Sequence, residues 1–116
     1  MPKTPSDRLR AICLALPEAE EVVLRRGPTY RVGDKIFALD RRREDGVALW
    51  CKVPSGSQAI LIGADPVRFF SPPYYGTKGW IGVRLDGKND WTEVTELVRR
   101  SFRLIAPQRL AAQVEE

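Results

Sequence analysis

The stretch TYRVGDKIFALD, residues 29–40, decides how this chain folds. Gly33-Asp34 sits between two runs rich in aromatic and β-branched residues, the signature of a two-residue hairpin turn. Glycine supplies the positive φ that such a turn needs. A turn this short can join only antiparallel strands, because a parallel pair needs a long crossover. The fold is therefore built around an antiparallel pair at 29–32 and 35–40.

Similar short runs flank the hairpin. EVVLRR (21–26) precedes it and breaks at Gly27-Pro28. RRREDG (41–46) follows as a charged turn, and VALWCKV (47–53) closes the set at Pro54. Together these runs predict a four-stranded meander. Before it, residues 5–16 read as a helix. Thr4 is placed to cap it, Pro5 suits its first position, and Leu9, Ile12, Cys13 and Leu16 recur at helical spacing. After it, 55–65 reads as a helix with Ser55 and Gln58 at capping-box spacing, and 65–70 as one more helical turn. A fifth strand is expected at 80–85. A long helix begins at Trp91 behind Asp90, with Trp91, Val94, Val98, Phe102 and Ile105 on one face, and Pro107 opens a short terminal helix. The order α, four strands, α, strand, α, α predicts an α+β domain over residues 1–116. Its antiparallel sheet of about five strands has helices packed on one face.

Composition narrows the function classes. With 116 residues, 43% hydrophobic and 29% charged, the chain suits one soluble globular domain. MPKTPSDRLR lacks the apolar core of a signal peptide, so the cytoplasm is the expected compartment. Cys13 and Cys51 read as buried thiols. The chain contains no histidine, which removes the commonest general base and metal ligand. The serines then lack the usual activating partner, so no enzyme activity, cofactor or metal is expected. A net charge of +4 favours polyanions.

The residues PTYRVGDKIFAL, the tryptophan strand after them, PPYYGTKGWIGVRLD and DWTEVTELVRRSFRLIAP together resemble the MmcQ/YjbR-like family over nearly the whole chain. The resemblance implies a double-wing α+β fold and DNA binding.

Two sets of residues carry candidate sites. In 80–85, period-two alternation puts Trp80 and Arg84 opposite the aliphatic Ile81, Val83 and Leu85. In 47–53 it puts Trp50 and Lys52 opposite Leu49 and Cys51. Aromatic rings beside cations suit bases and phosphates. The same pattern also suits tryptophans that simply cover the sheet beneath Lys and Arg stems. Arg41, Arg42 and Arg43 sit where a wing tip would reach phosphates, unless the turn is only a solvated loop neutralised by Glu44 and Asp45. Arg31 belongs to the same expected surface, and Arg25 and Arg26 enlarge it if they face the same way. Lys78 lies between Gly76 and Gly79. Arg99, Arg100 and Arg103 read as a solvated helix face, with Glu96 four residues before Arg100. The first expectation is DNA binding through Arg31, Arg41, Arg42, Arg43, Lys52, Lys78, Trp80 and Arg84, by a monomer or weak homodimer. The alternative is a protein- or small-ligand-binding module at loop 72–80, using Tyr74, Tyr75 and Trp80.

Overall fold

The computed structural model describes residues 4–43, 46–87 and 89–114. Helix α1 spans Pro5–Leu14. Its capping box uses Thr4, which accepts from the Asp7 amide at 3.0 Å while the Asp7 carboxylate accepts from the Thr4 amide at 3.3 Å. Strands follow at Ala19–Leu24 (β1), Gly27–Val32 (β2), Lys35–Arg43 (β3) and Gly46–Lys52 (β4). Helix α2 is Ser57–Ala64, β5 is Phe69–Phe70 and β6 is Trp80–Arg84. Helix α3 runs Trp91–Ile105 and α4 Gln108–Ala111. One antiparallel sheet has the order β1-β2-β3-β4-β6-β5, so the α+β class stands.

Among the described residues the sheet has six strands, where about five were expected. Phe69–Phe70 was expected to be helical, but it lies along β6 with Phe70 opposite Gly82. Its ring occupies the space where any Gly82 side chain would stand, so only glycine admits it. The expected capping box of α2 is also absent. Gly56, at φ 87, is the cap and carries no side-chain bond.

Pairing registers sort the residues into two faces. Tyr30, Val32, Leu49, Cys51, Ile81, Val83 and Leu85 turn toward α1 and α3 and form the main core with Leu9, Val94, Val98 and Phe102. Phe37 meets Phe102 edge-on, ring centroids 5.2 Å apart. A register shift opposite Tyr30 and Arg31 inserts Phe37 as an extra residue, so Phe37 and Ala38 both join this core. Ser101 manages the disruption. Buried on α3, it donates to the Phe37 carbonyl at 2.6 Å and accepts from the Lys52 amide at 2.9 Å. The other face carries a smaller core of Leu39, Ala48, Trp50 and Trp80. Both cysteines are buried and free, and burial pushes the Cys51 thiol up to about 12. No helix among the described residues is long and apolar enough to cross a membrane.

Candidate functional site

The outer face, opposite α1 and α3, is organised in rows across the strands. The middle row runs Thr29, Leu39, Trp50, Gly82, Phe70. One row toward the end of β3 brings Arg41, Ala48 and Arg84 side by side. At the opposite end Lys52 faces Trp80, and Arg31 faces Ile36.

The loop after β5 folds over the middle row. Tyr75 covers both tryptophans, its ring 6.0 Å from that of Trp50 and 4.9 Å from that of Trp80. Tyr74 meets Tyr75 edge-on at 5.3 Å. Gln58, from α2, holds the loop down by donating to the carbonyls of Gly76 at 3.0 Å and Trp80 at 2.6 Å. Trp80 is therefore buried, only 6% exposed, although it lies on the outer face that period-two alternation predicts. It is a plug beneath Tyr75 and offers no free ring to a base.

Tyr74 behaves differently from its neighbour. It is 70% exposed, yet its backbone sits at φ 67, ψ −56. With the Tyr75 amide donating to the Pro73 carbonyl at 2.6 Å, this is a γ-turn of the rare, strained hand. Three further contacts fix the residue: Thr77 Oγ1 donates to its carbonyl at 2.8 Å, Lys78 Nζ lies 4.4 Å from its ring centre, and the same Nζ is 3.1 Å from its hydroxyl.

Between this loop and the β1–β2 hairpin lies a cleft of about 780 Å³. Trp50, Pro73, Tyr74 and Tyr75 supply aromatic and apolar walls. Leu24, Gly27 and the arginines Arg25, Arg26, Arg41 and Arg42 supply the rest. The hairpin tip is Arg25-Arg26, joining Leu24 to its partner Gly27. Burial first, and Arg26 nearby, pull the Arg41 guanidinium below its ordinary value, while Tyr75 and Asp40 oppose that. Arg41 also lies 5.9 Å from the Trp50 ring and donates to the Asp40 carbonyl at 3.2 Å. None of these four arginines forms an ion pair among the described residues. Glu18, Glu20, Glu21, Glu93 and Glu96 are engaged elsewhere, by Arg109, Arg31, Arg10, Arg68 and the pair Arg99 and Arg103. The Trp50 indole N–H is buried without an acceptor among the described residues.

The expected basic set is thus divided. Arg41–Arg43 are strand residues paired with Ala48, Val47 and Gly46 respectively, not a loop. Extended pairing sends alternate residues to opposite faces. Arg41 turns to the outer face, and Arg42 donates to Ser6 on α1 at 3.2 Å. The Arg43 side chain, Glu44 and Asp45 lie outside the described residues. Arg84 stays near Arg41, its guanidinium 4.7 Å from the Phe70 ring. Arg31, Lys52 and Lys78 do not line the cleft; Lys78 packs against the Tyr74 ring and borders a second recess with Lys52. The arginine-tipped hairpin is therefore β1–β2, because strand pairing ends at Leu24 and resumes at Gly27. The signal was LRRG at 24–27, read as strand. No local pattern announced the role of Gln58. On α3, Glu96 pairs with Arg99 and Arg103, not with Arg100.

Comparison with known proteins adds the following. The YjbR family model matches residues 14–104. The crystal structure of Deinococcus radiodurans protein DR2400, with a DUF419 domain, superposes with a TM-score of 0.75 at 28% identity, covering 89% of this chain and 78% of that one. No curated protein matches.

Proposed function

We propose that this chain, which belongs to the YjbR family, is a non-enzymatic DNA-binding protein that holds phosphates against the outer face of its sheet. The supporting observation is the cleft where Arg25, Arg26 and Arg41 gather without carboxylate partners among the described residues. Guanidiniums placed together at some electrostatic cost are suited to a polyanion, and arginine matches phosphate geometry. Arg84 extends the same row. The Arg25-Arg26 hairpin takes the part of a wing. The protein acts as a monomer or weak homodimer and uses no cofactor.

The test is fluorescence anisotropy of a labelled duplex across a salt series. Three to four phosphate contacts give a slope of log K against log salt of roughly −3. Reversing Arg25 and Arg26 to Glu abolishes binding, whereas Arg100→Glu, on the exposed helix face, changes it little. No binding at low salt, or equal effects from both variants, removes this reading. Salt-insensitive binding of a protein or small ligand at loop 72–80 would favour the alternative module.

A further inference from the structure

The shape of the cleft says more than its charge. Phosphate contacts alone need cations and no aromatic walls. Here the cations border a concave space whose walls are Trp50, Tyr74 and Tyr75, and 780 Å³ lies within the range of about 300–1,000 Å³ typical of small-molecule sites. Tyr74 is the residue that structure alone explains least. An exposed tyrosine adds little to the core, and its positive φ is one that glycine adopts without strain. The surrounding contacts nonetheless hold its ring edge-on to Tyr75 and beside the cleft. Such over-determined strain in an exposed residue accompanies ligand positioning. In the same wall, Trp50 adds a buried indole N–H without an acceptor among the described residues.

We propose that the cleft holds one unstacked nucleotide, its base against the Tyr74–Tyr75–Trp50 wall and its phosphate between Arg25, Arg26 and Arg41. This rests on the nucleic-acid reading of the same face, and narrows it to unpaired nucleotides. The shared chemistry is an aromatic base bearing a phosphate ester, supplied by a free mononucleotide or by one residue of a single strand. A paired base cannot enter, since its face is already stacked within the duplex.

The experiment compares three probes at one ionic strength: a ten-residue deoxyadenosine strand, a mixed-sequence duplex of ten base pairs, and AMP. Anisotropy reads the two labelled DNAs. Tryptophan fluorescence reads AMP through Trp50, with Trp50→Phe identifying the signal. The expected result is single-strand binding at least tenfold tighter than duplex binding, with competition by AMP. Tyr74→Gly, which keeps the backbone conformation and removes the ring, weakens single-strand binding roughly tenfold or more and leaves the duplex unchanged. Tyr74→Phe retains affinity. A duplex that binds as tightly as the strand, with AMP inert, overturns the nucleotide site and leaves the phosphate-binding face standing. AMP binding without either DNA sustains the site and overturns the nucleic-acid reading. No binding of any probe overturns both.

Discussion

Asp40 provides the sharpest test of the energetics. It lies in the helix-facing row opposite Leu49 and is 0% exposed. Neither carboxylate oxygen has a hydrogen-bond partner that meets ordinary geometry among the described residues. Burial pushes its carboxyl above the ordinary range; the Ser6 hydroxyl, Arg42 and Arg41 oppose this, while Glu21 adds to the rise. The folded state therefore holds the proton more tightly than the unfolded chain. At low pH both states are protonated, and stability carries no ionisation penalty. As pH rises, the unfolded chain releases its proton first, and stability falls until the raised folded value is passed. Asp40→Asn removes the charge at similar volume. Asparagine still leaves a buried polar group without a partner but carries no charge, so the variant gains only the charge-specific part, on the order of 1 kcal/mol at neutral pH. In a domain of this size that corresponds to roughly 4 °C or more in Tm per kcal/mol. Thermal unfolding of both proteins from pH 4 to pH 8 measures the gap, and other titrating groups cancel in the difference. The gap widens with pH. A gap that shrinks as pH rises would mean that Arg41 and Arg42 outweigh burial, and a gap independent of pH would mean that the carboxyl is not shifted by folding; either result refutes this account.

Other perturbations separate the roles of neighbouring residues. Gly82→Ala forces a methyl group against the Phe70 ring and costs about 1–3 kcal/mol in urea unfolding, part of which Phe70→Leu restores. Ser101→Ala leaves the Phe37 carbonyl and the Lys52 amide without their partner, lowering stability by about 1–3 kcal/mol and speeding hydrogen exchange at Lys52. Tyr75→Ala uncovers Trp50 and Trp80, so it lowers stability by about 3 kcal/mol as well as binding, whereas Tyr74→Gly leaves Tm within a few degrees.

Local rules explain which features the sequence disclosed. The Gly33-Asp34 turn joins β2 to β3 with Val32 opposite Lys35, and Gly33 adopts φ 62. The stripe of α3 and the caps Thr4 and Asp90 are likewise decided within one or two turns of chain. Features set by distant partners were hidden. Phe69–Phe70 is a strand only because β6 offers an edge. The arginines at 41–43 are extended because β4 pairs with them, although their charge suggested a loop. Ser101 looks like an idle serine until the bulge at Phe37 supplies an unpaired carbonyl. The cleft was half legible. Period-two alternation put Trp50 and Trp80 on the basic face, but only the loop's return over that face decides which rings are covered.

That return also explains how one face holds both a core and a candidate site. A sheet whose outer side shows tryptophan must cover it or leave a sticky surface. Here the covering element is the loop at 71–79, fixed by Gln58 through the Gly76 carbonyl within it and the Trp80 carbonyl at its end, and by Tyr75 to both tryptophans. Because the loop closes over Trp80 but stops short of the Arg25-Arg26 hairpin, it leaves a recess of which Trp50 is one wall. Aromatic surface that would otherwise be structural filler thus borders guanidiniums with no carboxylate partner among the described residues. The two adjacent tyrosines divide the work: Tyr75 is spent on the core, and Tyr74, strained and exposed, remains available to a ligand.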